Sequence, residues 1–253
     1  MLTISPLIGF PLINKGDDLA KLISSSLIDN RIELQNGDIL VIAQKIVSKA
    51  EGRRVNLKTI TPSKKALELS SICDKDPRLI ELILQESNEV VRIRPGTIIV
   101  EHRLGFICAN AGIDHSNVVS NNSDEEIVLL LPENPDQSSE NIKKYFYSHN
   151  NINIGVMIID SHGRAWRLGV VGATIGIAGL PGVVDMRGKP DMFGGILKTT
   201  QIGAADELAA GASLVMGQAD ERIPVVHVRG FPYDLRDGSL KEMIRPIELD
   251  LFR

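Results

Sequence analysis

The chain has little cysteine: only Cys73 and Cys108 among 253 residues. Two thiols cannot build a disulfide framework, and neither has a His or Cys at metal-ligand spacing, so the sequence predicts reduced, buried thiols and a cytoplasmic setting. Charge of one sign is also missing. The formal net charge is −4 and the 28 Lys plus Arg are spread along the chain, which leaves no electrostatic footprint for nucleic acid. Aromatics make up 4%, and no aromatic-and-basic RNA motif occurs. No run approaches the ~18 apolar residues of a membrane span, and MLTISPLIGFPLINKGDD lacks a basic segment followed by a long apolar core, so neither export nor membrane insertion is expected. There is no G-x-x-x-x-G-K-[ST] loop, and no Ser-His-Asp or Cys-His set at an interpretable spacing. Any nucleotide must be held by another cradle.

What remains is an ordinary folded composition, 43% hydrophobic and 24% charged, in a length that suits one unit or two unequal, intertwined lobes. The pattern is α/β. A strand near Leu2 to Pro6 leads to a helix capped by Asp17 or Asp18, with Leu19, Leu22, Ile23 and Leu27 on one face. A buried strand covers Asp38 to Ala43. Two helices are expected in Thr61 to Val91, with Pro62 and Pro77 in their first turns. Thr97 to Ala109 reads as a hairpin about Arg103-Leu104-Gly105, and Glu126 to Leu131 as a strand. A helix follows around Ser139 to Tyr147, then a strand from Ile152 to Ile159 ending on Asp160. The run Leu197 to Met216 is helical, with Asp206 and Glu207 in its middle. A strand at Ile223 to Val228 precedes a last short helix and strand.

The most informative features are two acid-bearing segments, GIDHSNV at Gly112 to Val118 and IIDSHGRAWRLG at Ile158 to Gly169. Each reads as a loop with an aspartate beside small hydrogen-bonding residues. Asp114 or Asp160 alone would pass as turn chemistry. Together with Asn117 and Ser161 they offer the oxygen ligands that Mg2+ or Mn2+ accepts, and Arg164 and Arg167 add forks for phosphate or carboxylate. His115 and His162 follow the aspartates closely, and as loop histidines they are left outside the catalytic set.

Other segments have plainer alternatives. LGVVGATIGIAGLPGVV, from Leu168 to Val184, mimics a dinucleotide fingerprint, but Gly169, Gly172 and Gly176 lie inside a β-branched run instead of between a strand and a helix, which argues against a Rossmann site and for close backbone packing. Val47 to Arg53 places Ser48, Lys49 and Gly52 after a buried strand, either as a phosphate cradle or as a solvated helix end. MGQADERIP, from Met216 to Pro224, is a helix stop at Gly217 or a run of backbone N–H groups for phosphate.

Taken in order, GFPLINKGDDL, VSKAEGR, ANAGIDHSNV, IDSHGRAWRLG, TIGIAGL, DMRGKPDMFG and ADELAAGASLVMGQADERIPVV resemble the coenzyme F420-0 gamma-glutamyl ligase family over nearly the whole chain. The resemblance implies a GTP-dependent enzyme that adds L-glutamate to coenzyme F420-0 in γ-linked amide bonds through an acyl phosphate. It also implies a homodimer and two divalent cations, Mg2+ or Mn2+, with K+ as a further cation. By position, Asp114 and Asp160 would hold one cation, and Ser161 and Gln218 the second. GTP would meet Phe10, Pro11, Leu12, Ile13, Lys49 and Asn117, together with the loop Met216, Gly217, Gln218, Ala219, Asp220, Glu221, Arg222 and Ile223. Asp114, Asp160 and Lys49 would carry the catalysis. The chain departs from the family where Gln44 and Lys45 replace small hydroxyl residues and Gly195 an arginine. Two rival readings use the same loops: a metal-dependent nucleotide hydrolase or phosphotransferase, and a non-catalytic nucleotide- or deazaflavin-binding protein.

Overall fold

A computed structural model describes residues 1–115 and 126–251. In chain order the strands and helices are β1 (Thr3–Pro6), α1 (Leu19–Asp29), β2 (Ile39–Ala43), α2 (Gln44–Ala50), β3 (Arg54–Asn56), α3 (Lys64–Cys73), α4 (Pro77–Gln85), β4 (Ser87–Arg94), β5 (Thr97–His102) and β6 (Ile107–Ala109). There follow β7 (Ile127–Leu129), α5 (Pro135–Asn150), β8 (Gly155–Arg164), β9 (Arg167–Ala178), β10 (Val184–Asp185), β11 (Gln201–Ile202), α6 (Ala204–Met216) and β12 (Val225–Arg229).

The main sheet runs β1-β12-β2-β8-β9. Only β2 and β8 pair in parallel; the other neighbours are antiparallel. Both faces are covered, which explains why β2 is apolar at every position instead of alternating. On one face Leu40, Ile42, Val156, Ile158 and Val225 pack with α1 and α5; on the other Ile39, Val41, Met157, Ile159, Val226 and Val228 pack with α6. The small residues of β9 permit this approach, since a Cβ at Gly172 would collide with the Ala209 carbonyl oxygen of α6 and one at Gly176 with Pro135 of α5. The glycine-rich run is a strand packed between helices, without a Rossmann turn.

Most of the segment between α2 and α5 forms a second, smaller part with its own core. Leu79, Ile80, Leu82 and Ile83 of α4 pack against Ile98 and Val100 of β5 and against Val128 of β7. The β4-β5-β6 sheet and the β3-β7 pair frame it. The fold is thus α/β with mixed sheets in two unequal, intertwined parts, and among the described residues has neither a Rossmann unit nor a P-loop.

Several local expectations need correction. Pro62 does not open α3: Ser63 caps it by accepting the Ala66 N–H, and the helix begins at Lys64. Pro77 does open α4, behind the cap Asp76. The second helix stops at Gln85, because Ser87–Arg94 is drawn into an antiparallel ladder with β5. Helix α6 starts at Ala204, not Leu197, since Gln201–Ile202 pairs with Val184–Asp185 first. Asp206 and Glu207 therefore lie in its first turn, where negative charge complements the helix dipole, and not in its middle. Two 3-10 turns, Leu240–Glu242 and Ile247–Leu249, replace the closing helix and strand among the described residues.

Candidate functional site

One end of the main sheet gathers most of the segments singled out in the sequence. β2 ends at Ala43, whose N–H donates to the Pro224 carbonyl at 2.8 Å, so α2 begins beside the end of the Met216 to Ile223 loop. β1 runs antiparallel to β12 and leaves the sheet there too, with the Leu7 N–H donating to Val225 at 3.0 Å. The chain from Leu7 to Gly16 then crosses to the end of α2, where the Gly16 N–H meets the Ala50 carbonyl at 2.8 Å. Ala43 pairs with Ile159 of β8, which brings Asp160 to the same end.

Asp114 arrives from the smaller part. Asn110 and Ala111 both adopt left-handed backbone, at φ 52° and 51°, a costly conformation for alanine. The turn aims Asp114 at β7, where its N–H and C=O exchange 2.9 Å hydrogen bonds with Leu129. Asp114 is therefore held by an isolated β-bridge, not a free turn former. Gln44 Nε2 donates to Asp114 Oδ2 at 2.9 Å, the Ser48 hydroxyl donates to Gln44 Oε1 at 2.9 Å, and Lys45 Nζ lies 3.5 Å from Asp114 Oδ2. Burial pushes the Asp114 carboxyl above its ordinary value, Lys45 opposes that, and the charge of Asp160 adds to it. Lys49, in the last turn of α2, is shifted the other way: burial lowers it first, then the charges of Arg54 and Lys45, while Asp114 partly offsets them. The site holds two carboxylates near each other beside a cluster of cations.

Asp160 does not end its strand. β8 continues to Arg164, turns at Ala165 and Trp166, and returns as β9, with Asp160 opposite Ala173. The second acidic segment is accordingly a long hairpin, and the side-chain alternation of a strand governs it. Asp160 and His162 share a face, with His162 Nε2 3.1 Å from Asp160 Oδ2. Ser161 points to the other face, where its hydroxyl donates to Gln218 Oε1 at 2.8 Å and Gln218 Nε2 donates to Ser213 Oγ of α6 at 2.9 Å. The two donor pairs that the resemblance groups at two cations thus flank one strand. Arg164 and Arg167 lie at the exposed hairpin tip.

In the loop after α6, Gly217 has φ 74° and Arg222 φ 57°. Glu221 accepts the Ala219 N–H at 2.8 Å, and Gln218, Ala219, Asp220, Glu221 and Arg222 are exposed, while Met216 is buried and Ile223 half-buried. In the other loop Phe10 and Ile13 are anchored in the core and Leu12 is 88% exposed. Backbone and Pro11–Leu12, not the Phe10 and Ile13 side chains, face solvent. Asn117 lies outside the described residues, and His115 at their margin is exposed.

Among the described residues, no three His, Cys, Asp or Glu side chains form a ready-made metal cage. Asp114 and Asp160 nevertheless fit a hard divalent ion, which is commonly held by one or two carboxylates plus substrate phosphate and water; their mutual repulsion in a buried setting is what a cation would relieve. Sequence reading left out Gln44 and His162 as parts of this arrangement. The signals were present: helical i, i+4 spacing puts Ser48 against Gln44, and strand i, i+2 spacing puts His162 beside Asp160. By contrast, the acidic cleft lined by Asp136, Glu140 and Asp237 lies toward the opposite end of the β8–β9 hairpin. There Asp136 is taken up by the N–H groups of Ile177 and Leu240.

Known proteins carry the same arrangement of sequence. The profile of the family described as F420-0:Gamma-glutamyl ligase matches residues 8–230. A protein of Methanothermobacter thermautotrophicus named coenzyme F420:L-glutamate ligase is 48% identical over 97% of this chain and 96% of its own length. Proteins of the same name from Methanococcus maripaludis and Archaeoglobus fulgidus are 45% and 40% identical, over 96% and 99% of this chain and 94% and 96% of their own lengths.

Proposed function

The chain belongs to the F420-0:gamma-glutamyl ligase family, and from that premise we propose that it joins L-glutamate to coenzyme F420-0 in γ-linked amide bonds at the expense of GTP. Glutamate ligation in coenzyme F420 biosynthesis is what the family and its named relatives support. We infer in addition a finer reading: GTP as the phosphoryl donor, an acyl-phosphate intermediate and the residues that handle them. The observation that supports it best is the convergence, at one end of the main sheet, of α2, the Leu7 to Gly16 chain, the Met216 to Ile223 loop and Asp160, with Asp114 docked on Gln44.

The chemistry must bring an anionic carboxylate to an anionic triphosphate. The acceptor carboxylate attacks the terminal phosphorus of GTP and releases GDP, which leaves an acyl phosphate; the glutamate amine then attacks the acyl carbon, and phosphate departs with its electron pair. Little covalent help is needed from the protein, and positioning and charge dominate. Lys49, half-buried with its pKa pulled down by burial and by Arg54 and Lys45, would place a point charge on the phosphates. The exposed backbone of the Met216 to Ile223 loop and of Pro11–Leu12 would line the nucleotide's path. Asp114 and Asp160 would hold a divalent cation, and Ser161 with Gln218 a second. Mg2+ or Mn2+ held there would supply positive charge against the phosphates and so offset repulsion between the two substrates. K+ would serve as a further cation. Arg164 and Arg167 at the hairpin tip are suited to the acceptor's anionic groups or the incoming glutamate. The active form would be a homodimer.

The deciding experiment is mass spectrometry of coenzyme F420-0 incubated with the purified protein, GTP, L-glutamate and Mn2+. Mass increments of one or more glutamyl residues, with matching release of GDP, are expected. GTP consumption that neither needs glutamate nor changes the deazaflavin would overturn the ligase reading in favour of a hydrolase.

A further inference from the structure

The buried side of the Asp160 hairpin is braced in a way that the proposed reaction does not by itself require. Phe106, just after the β5–β6 turn, stands between two imidazoles. On one side it stacks on fully buried His102, with ring centroids 5.1 Å apart and planes within 3°. On the other it meets His162 at 5.3 Å and 46°. His102 is itself fixed: its Nδ1 accepts the Leu104 N–H at 3.1 Å, and its Nε2 lies 3.7 Å from Glu86 Oε2, which also takes Arg53 at 2.7 Å and Arg103 at 3.0 Å. A rigid, ion-paired corner of the smaller part therefore presses one aromatic ring against His162 of the main sheet.

His162 has a reason to be pressed. Its Nε2 is buried and makes no hydrogen bond among the described residues, although Asp160 Oδ2 is only 3.1 Å away. The distance is right and the alignment is not. A small reorientation of the two side chains would make the bond.

We propose that His162, clamped by Phe106, is a positioning residue for Asp160: its Nε2–H holds Oδ2 and leaves Oδ1 free to bind the divalent cation. The inference rests on the reading of Asp160 as a cation ligand. It assigns His162 no contact with substrate and no proton transfer. A partner that orients a carboxylate ligand typically changes metal affinity by about 10–100-fold when removed.

Packing and hydrogen bonding can be separated at this position, because His162→Phe keeps a ring against Phe106 without a donor and His162→Gln keeps an N–H donor without a ring. Mn2+ titration of the full chain with GTP present, read by electron paramagnetic resonance, is the measurement, with melting temperature as the structural control. His162→Phe is expected to weaken Mn2+ binding by about 10–100-fold with little change in melting temperature, and His162→Gln to retain most of the affinity. Phe106→Leu is expected to fall between them. The reverse order, with Phe tolerated and Gln harmful, would show a packing role and overturn the proposal. Wild-type affinity in both variants would overturn it as well, with the ligase reading left standing. Absence of Mn2+ binding by the wild-type protein itself would instead remove the cation-site reading, and this inference with it.

Discussion

Gln44 Nε2 donates to Asp114 Oδ2 at 2.9 Å across 70 residues of sequence, tying the first turn of α2 on the main sheet to the acid delivered by the smaller part. The amide is not free to flip, because that would turn Gln44 Oε1, which now accepts from the Ser48 hydroxyl at 2.9 Å, against the acceptor-only Asp114 carboxylate. Gln44 is 1% and Ser48 0% exposed, so neither group has water to replace its partner. The bond joins the two parts of the fold at the candidate site.

Gln44→Leu removes that joint: the buried Ser48 hydroxyl loses its acceptor, and Asp114 Oδ2 keeps only Lys45 at 3.5 Å. An unsatisfied buried polar group costs about 1–3 kcal/mol, so urea unfolding should show a loss of that order. The same variant should need more Mn2+ for half-maximal activity, since Asp114 is no longer oriented. An unaltered unfolding midpoint would mean that the bond contributes nothing.

Asp114→Asn and Asp160→Asn should each reduce glutamate ligation on the order of 10²–10³-fold, the scale seen when one preorganised electrostatic group is deleted. The fold should survive. Burial and the neighbouring Asp160 already disfavour charge at position 114, so a neutral amide there removes a repulsion, and the melting temperature of Asp114→Asn should equal or exceed that of the wild type. Full activity at saturating metal in either variant would sink the ligand assignment.

Lys49→Ala should act mainly on nucleotide binding. The ammonium is held half-buried among Lys45 and Arg54, an arrangement that a triphosphate would neutralise. Equilibrium titration with a fluorescent GTP analogue should show a dissociation constant raised at least about tenfold, the equivalent of roughly 1.4 kcal/mol. The same affinity in mutant and wild type would take Lys49 out of the site.

The Glu86 corner predicts a pH dependence of stability. Burial alone would raise this carboxyl, but His102, Arg103 and Arg53 around it hold it at about 2, against an ordinary value of 4.5. The folded value lies below the unfolded one, so the contribution is complete above about pH 4.5 and is lost as pH falls toward 2. Glu86→Gln leaves Arg53 and Arg103 without their shared counter-ion and should cost about 3 kcal/mol at pH 7. Its stability should also fall less steeply than that of the wild type between pH 5 and 3. Parallel urea-unfolding profiles for the two proteins across that range would contradict the account.

Much of the local structure was legible in the sequence. A capping aspartate marked the start of α1 at Asp18, and a first-turn proline that of α4 at Pro77, because such signals act within one turn of their own helix. The uninterrupted apolar run of β2 announced a buried strand, since it would not be stable beside water, and the glycines of β9 announced close backbone packing. The acids at 114 and 160 drew attention only together with the hydrogen-bonding residues beside them, and the order of motifs along the chain identified the family.

Whatever depended on pairing at a distance had to wait for the tertiary structure. Ser87–Arg94 continues a helical-looking segment, yet β5 claims it as a partner; Gln201–Ile202 leaves the α6 pattern for β10 in the same way. The Asp160 segment has the composition of a loop and becomes a hairpin, because β9 supplies hydrogen-bond partners residue by residue up to the turn. That ladder sets the side-chain alternation, so it decides that His162 stands with Asp160 and Ser161 with Gln218. Composition establishes which chemical groups are available to this protein; strand register and the docking of its two parts decide which of them meet, since hydrogen-bond partners far apart in the chain are chosen by the fold as a whole.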